Sequence, residues 1–343
     1  MNELATLLQQ LTQKQQKLHA LLPMTHDQQE HLEEWFKVEL TYSSNAIEGN
    51  TLTRIETAEV IEKGVGVVIS GKPLQDQLEA INHSKAIDYV RELAKMRKSH
   101  QDITEQDILS IQKSLLTGIH DDWAGVYRNI EIFVRGSNTD FPLPQEVPSL
   151  MKRFVVNLSE QQEIHPILLA ANAHFKLVSI HPFRDGNGRT ARLLMNLILL
   201  IHGYPMAVIR SEQREEYLAL FDRVRKYDDM QPFYEFIIQA AERSLDAYLN
   251  AAEGKSIFKA LQGQEENDIT LLRIGELSKK TGISEHTLRF WTDEGLLKAA
   301  RTSGNYRLYD SITITVIQEI QRLKQELRLT LPEIKERLQK FGE

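Results

Sequence analysis

Along most of the chain apolar residues recur every three or four positions, the period of a helix that buries one face. The pattern predicts an opening helix in LATLLQQLTQKQQKLHALL and a second in QEHLEEWFKVELTYS that stops near SNAIEGN. Further helices are predicted in TAEVIEKG, QLEAINHSKAIDYVRELAKM and EQDILSIQKSLLTGI. The texture then changes. From Asn129 to Pro142 apolar and polar residues alternate around GSNTD, which predicts a short β-hairpin. Helical spacing resumes near Pro148 and continues through ILLAANAHFKLVSI, GRTARLLMNLILLI, SEQREEYLALFDRV and PFYEFIIQAAERSLDAYLNA. Residues 251–267 are polar and weakly periodic and read as a linker, leaving one domain over 1–250 and another over 268–343. The expected fold class is mostly α.

Composition narrows the possibilities. Of 343 residues, 41% are hydrophobic and 26% charged, and there is no cysteine, which removes disulfides and cysteine-based metal or redox chemistry. No basic-then-apolar leader opens the chain, and LLMNLILLIHGY falls short of the ~18 apolar residues a membrane span needs. A soluble, cytoplasmic protein without a membrane partner is expected. The net charge is −7, which argues against a whole-protein grip on nucleic acid but leaves room for a local basic face.

The densest chemistry lies in HPFRDGNGRTAR, residues 181–192. Pro182 ends one helix, since the residue before a proline disfavours the helical backbone. DGNG supplies a turn whose glycines let a ligand approach the main chain, and a new helix starts just beyond it. Backbone N–H groups at such a helix start favour an anion. Arg189 and Arg192, three apart, can face one anion; Asp185 is placed to hold Mg²⁺ against phosphate oxygens. His181, at the rim, could take a proton from an incoming hydroxyl.

This dozen resembles the Fic signature His-x-Phe-x-Asp/Glu-Gly-Asn-Gly-Arg-x-x-Arg at every defined position, over a resemblance that runs from about residue 1 to 250. Fic proteins are helical and mostly transfer AMP from ATP to a Ser, Thr or Tyr hydroxyl of a protein. The resemblance implies His181 as the base and Asp185 as the Mg²⁺ ligand. It implies Gly186, Asn187 and Gly188 as the phosphate cradle, Arg189 and Arg192 on the β and γ groups, and Thr190 and Tyr217 as further ATP-binding residues. Phe183 would anchor the loop from within. The predicted hairpin resembles the family's flap, preceded by GVYR, and its Ile132, Phe133 and Val134 would pair with an extended target segment. Where many relatives carry a second aromatic after Tyr217, this chain has Leu218.

Upstream, SSNAIEGN places Ser44, Glu48 and Gly49 in the pattern of the inhibitory motif that many Fic proteins carry before the core. Ser44 and Glu48 are one helical turn apart and share a face. By resemblance Glu48 pairs with Arg192, takes the γ-phosphate's place and holds the enzyme off. Two other patterns fail. GVVISGKP has Pro73 where a P-loop needs a hydroxyl, and His174 and His181 have no third ligand for zinc.

The last domain reads as helix, turn at Gly282, and a second helix capped by Ser284, followed by the basic hairpin ARTSGNYRLYD. It resembles the winged helix-turn-helix of MerR-type regulators, with RFWT where RYYE is familiar. That resemblance places Arg289 on the recognition helix and Tyr306 and Arg307 in the wing, and makes DNA a partner. Residues 268–343 carry 13 Lys/Arg against 11 Asp/Glu, so any non-specific grip is modest. The long dimerisation helix usual in such regulators is missing, so a homo-oligomer would have to form through the Fic part. The favoured reading is an adenylyltransferase acting on a protein, its own chain included, with ATP and Mg²⁺. Two readings compete: a DNA-binding transcriptional regulator whose Fic site senses nucleotide, and an enzyme that removes AMP with Glu48 activating water.

Overall fold

A computed structural model describes residues 3–66, 68–133, 140–254, 272–297, 299–301, 307–309, 312–325 and 329–340. The chain divides into two compact units, residues 1–261 and 262–343.

The first unit is built on a helix with almost no exposed face. α8 (Asn187–Ile201) is buried from Asn187 to Leu199 except at Gly188, as expected for a helix that is apolar nearly all round. Against it pack α7 (Pro166–Ile180), α4 (Leu74–Met96), α5 (Glu105–Leu116) and α2 (His26–Ile47). α10 (Gln231–Ala252) lies on α1 (Glu3–Leu21), α7 and α9 (Arg214–Tyr227), and α3 (Arg54–Lys63) and α6 (Val147–Glu160) complete the unit. Reciprocal capping boxes at Thr25/Gln28, Thr53/Glu56 and Thr104/Asp107 fix where α2, α3 and α5 begin.

Buried amides tie connections to this frame. Asn196 on α8 accepts from Ala207 N at 2.7 Å and donates to Ala207 O at 3.2 Å, holding the extended segment after α8. Asn82 on α4 donates to Leu115 O and Thr117 O at 3.1 and 2.8 Å, closing the C-terminus of α5. Among the described residues no helix is long and apolar enough to cross a membrane.

The predicted helices are present, but the hairpin differs from expectation. Neither 129–133 nor 140–142 is strand, while Val134 and the tip through residue 139 lie outside the described residues. The reason is visible at Arg128, whose guanidinium takes the carbonyls of Ile130 and Pro142 at 3.0 and 2.5 Å. Those acceptors are occupied by a side chain, and Pro142 has no N–H to donate.

In the second unit, α11 (Ile274–Thr281), a turn at Gly282 (φ 70°) and α12 (Glu285–Asp293) form the helix-turn-helix. Ser284 caps α12 by accepting from Thr287 N at 3.2 Å. β1 (Leu272–Arg273), β2 (Ala300–Arg301) and β3 (Arg307–Tyr309) make a small antiparallel sheet in the order β1-β3-β2. The strand β1 was not expected. α13 (Ile312–Gln325) and α14 (Leu331–Lys340) follow, around a core that includes Leu277, Leu288, Trp291 and Tyr309.

Removing the Asn196 amide takes away its bonds to both the N–H and the C=O of buried Ala207. Asn196→Ala is expected to destabilise the first unit by about 2 kcal/mol or more, read as a lower urea midpoint at unchanged slope.

Candidate active site

α7 ends where Pro182 forbids its continuation, and His181 closes it in the left-handed region (φ 50°, ψ 59°). That backbone costs a non-glycine residue about 1–2 kcal/mol, so the surrounding contacts must hold it. His181 N donates to Leu177 O at 2.9 Å, and its carbonyl accepts from Arg128 Nε at 2.8 Å. Its Nδ1 lies 3.2 Å from Val178 O. A carbonyl only accepts, so Nδ1 carries the hydrogen and Nε2 keeps its lone pair. Burial pulls the imidazole down to about 4, against the opposing effects of the Val178 contact and Glu48 and with help from Arg128 and Arg225. At neutral pH His181 is an unprotonated base.

The loop to α8 is latched from inside. Asn187 accepts from Phe183 N and donates to Phe183 O, both at 2.9 Å. Phe183 is fully buried and packs on Tyr127. Asn187 was expected in the phosphate cradle; its side chain is committed to this latch, so only its N–H can serve a ligand. Gly186 turns the chain at φ 79°. The N–H groups of Asn187, Gly188 and Arg189 precede the first intrahelical bond, Thr190 N to Gly186 O at 2.8 Å, and so need an outside acceptor. Gly188 has helical backbone, and its glycine has another cause: a Cβ there would collide with Glu48 Oε1 and reach 3.1 Å from Arg192 Nη1.

Arg192 is 5% exposed and gathers the site. Its Nε donates to Ser44 Oγ at 2.9 Å, and its Nη2 to Ser44 O at 2.9 Å and Glu48 Oε1 at 2.7 Å. Nη1 reaches Tyr217 OH at 3.4 Å. Ser44, Glu48 and Arg192 are thus together, as expected. Glu48 follows the last residue of α2 and Gly49 turns away at φ 101°. Desolvation raises the Glu48 carboxyl, but Arg192 and Arg189 outweigh it and hold it below the usual carboxylate value. Its oxygen sits beside the amide nest, where a negative charge is favoured.

Arg189 lies 3.3 Å from both Asp185 oxygens and 3.4 Å from Glu79. Its Nε and Nη1 have no hydrogen-bond partner although buried. Asp185 also accepts from Gly186 N at 2.6 Å and stays 39% exposed. A partly exposed carboxylate beside the amide nest suits Mg²⁺, which takes few protein ligands alongside phosphate oxygens and water. Groups of three or more metal-ligating side chains are absent among the described residues, so such an ion would depend on the nucleotide.

Tyr217 departs from expectation. It is 1% exposed, its hydroxyl lies 2.9 Å from His174 Nε2, and burial pushes its pKa up to about 12. It supports Arg192 from behind instead of lining an open wall. Thr190 is likewise buried, with Oγ1 unpartnered. His174 is fully buried among Phe221, Phe233 and Tyr217.

Several contributors carry no signal in sequence. Gln112, on the buried face of α5, donates to Trp123 O and Asp185 O at 3.3 and 3.2 Å and accepts from Gly125 N at 2.5 Å. Arg214 donates to Ile47 O at 2.7 Å, fixing the end of α2. Asn50 and Glu79 bind the turn after Glu48 to α4 at 3.0 Å. Of the proposed target-binding residues, Ile132 is half-buried and Phe133 is 89% exposed. In the second unit Arg289 is exposed but pairs with Glu285 at 2.9 Å, and Arg307 pairs with Asp293 at 2.5 Å. Tyr306 lies outside the described residues.

The geometry has counterparts. The profile of the Fic/DOC family matches residues 102–199, and that of the MerR HTH family regulatory protein matches residues 272–340. Protein adenylyltransferase Fic of Nematostella vectensis is 40% identical over 212 residues, covering 61% of this chain and 48% of that protein. The chain spans about half the length of the curated relatives it matches. Among solved structures, Fic-1 of C. elegans is 30% identical with a TM-score of 0.66, covering 74% of each chain. A Fic domain containing signaling protein from Bacteroides thetaiotaomicron is 29% identical with a TM-score of 0.66, covering 72% of this chain and 98% of that one.

Burial keeps His181 and His174 neutral in the folded chain, at about 4 and about 3 against an ordinary 6.5. The unfolded chain takes up protons first as pH falls, so stability declines from pH 6.5 downward. Histidine-resolved NMR at about pH 5.5 should find both rings neutral; titration of either at its ordinary value contradicts the described burial.

Proposed function

The chain belongs to the Fic family, and from that premise we propose that it is a protein adenylyltransferase whose site is held closed by Glu48. The observation that carries the reading is Arg192: a buried guanidinium beside Gly188, bonded at 2.7 Å to a Glu48 carboxylate on which His181 also acts. In the proposed reaction the hydroxyl oxygen of a Ser, Thr or Tyr attacks the α-phosphorus of ATP. The bond to the β-phosphate breaks, pyrophosphate leaves, and the hydroxyl proton passes to His181 Nε2. The amides of residues 187–189 and the arginines hold the phosphates, so the chain contributes mainly position and charge. Asp185 would hold Mg²⁺, which neutralises phosphate charge when bound.

Glu48 opposes this arrangement by supplying its own anion to the same donors. A phosphate can use Arg192 and the amides only after that carboxylate leaves. The target hydroxyl is proposed to come from another protein or from a second copy of this chain, presented by the segment around Ile132, Phe133 and Val134. The second unit adds a proposed DNA contact through α12 and β3, with Arg289 and Arg307 as its proposed cations. Cytoplasmic placement and pairing through the Fic part complete the proposal.

Incubation with ATP and Mg²⁺ followed by mass spectrometry tests the reading. Glu48→Gly should gain AMP about tenfold or more faster than the unsubstituted chain, equivalent to about 1.4 kcal/mol of competition removed. Adding His181→Ala should cut that rate by about 10²-fold or more. No rise in Glu48→Gly overturns the brake. For the second unit, Arg289→Ala with Arg307→Ala should weaken binding to random duplex DNA and flatten its salt dependence, with His181→Ala without effect; unchanged binding removes these residues from the interface.

A further inference from the structure

The proposed chemistry makes no use of Arg128, yet this cation is only 2% exposed. Each of its guanidinium nitrogens donates to a main-chain carbonyl: Nε to His181 at 2.8 Å, Nη1 to Ile130 at 3.0 Å and Nη2 to Pro142 at 2.5 Å. Its own N–H donates to Pro182 O at 2.9 Å. Among the described residues no carboxylate forms a salt bridge with it. Burial works against its charge and pulls its pKa below the usual arginine value, partly offset by Glu131.

Such a cation is expensive to bury, and its fixed fork of donors makes it useful for geometry. One acceptor is the carbonyl of the residue held in the left-handed region. Another belongs to Pro142, next to Phe141, whose ring centroid stands 4.5 Å from the His181 imidazole. The plane of one guanidinium therefore sets the backbone of His181 and both roots of the segment facing it.

We propose that Arg128 is a positioning residue for the transfer reaction: it locks the backbone of His181 and the flanks of the 130–142 segment into one register. The proposal rests on the adenylyltransferase reading, with His181 as base. The imidazole then faces the incoming hydroxyl with its Nδ1 hydrogen on Val178 O and Nε2 open. Lysine cannot replace this function, because a single ammonium cannot reach three carbonyls in a plane. The charged groups acting on His181 are Glu48, which favours its protonation, and Arg128 and Arg225, which oppose it.

The test uses the full chain carrying Glu48→Gly, compared with the same chain carrying Arg128→Lys or Arg128→Gln. Rates of AMP incorporation give kcat and KM for ATP, and ¹⁵N NMR of His181 gives its tautomer. Both variants should lose about 10²-fold in kcat, the cost of misplacing a reacting group by about 1 Å. KM for ATP should stay within about twofold, since the phosphate donors are untouched. The single Nδ1–H tautomer should give way to a mixture, and in Arg128→Gln the ring should titrate closer to 6.5. Arg128→Lys with kcat within about threefold of its parent overturns the proposal, as that variant restores charge and most of the volume. A kcat loss with an unchanged His181 tautomer overturns it too. If Arg128→Gln does not fold, the lysine variant decides. If Glu48→Gly itself transfers no AMP, the adenylyltransferase reading fails, and the His181 tautomer in Arg128→Lys still decides whether Arg128 orients the ring.

Discussion

The guanidinium of Arg192 is the constraint around which the first unit is organised. A buried cation is tolerated only when its donors are satisfied and its charge is answered. Ser44 answers it twice, Glu48 once with charge, and Tyr217 from behind. Two of these partners come from the last turn of α2 and its cap, so the end of that helix must lie against the start of α8. Arg214 on Ile47 O and the Asn50–Glu79 contact fix it there. The cation also shapes its neighbours: together with burial it keeps His83 and His174 neutral.

The same arginine underlies the proposed competition, in which Glu48 and a nucleotide phosphate exclude one another. With Glu48 in place, the anion demanded by the amide nest is supplied from within the chain. With nucleotide in place, that carboxylate would sit among phosphate oxygens and be repelled. Only Gly188 lets either anion come so close, since a side chain there would meet Glu48 and Arg192. His181 makes no hydrogen bond to Arg192, but Glu48 acts on its charge. The αL turn after α7 and the Arg128 bond to its carbonyl place the His181 backbone.

Much of this was legible in sequence where one residue type does one job. The apolar continuity of GRTARLLMNLILLI gave away the central helix, and the spacing of His181, Asp185, Arg189 and Arg192 gave the site. The interval from Ser44 to Glu48 put both on one helical face, and the resemblance to the Fic inhibitory motif supplied Arg192 as the partner. What stayed hidden depends on contacts across the fold. The 129–142 alternation does not reveal that Arg128 bonds the carbonyls of Ile130 and Pro142. Tyr217 could be placed near the site but not beneath Arg192, since burial is a property of α9 against α7 and α10. Gln112 reads as an ordinary polar residue, and its three bonds join segments distant in sequence. Asn187 was assigned to the phosphate loop, and the latch its side chain makes with Phe183 carried no signal in sequence.

Nucleotide titration under conditions without turnover tests the account most directly. Calorimetry with ATP and AMP on His181→Ala, with and without Glu48→Gly, separates the terminal phosphates from the rest of the ligand. If Glu48 and those phosphates compete for Arg192, removing Glu48 tightens ATP by about tenfold or more, about 1.4 kcal/mol, and leaves AMP nearly unchanged. Equal tightening of both nucleotides, or of neither, would contradict the account.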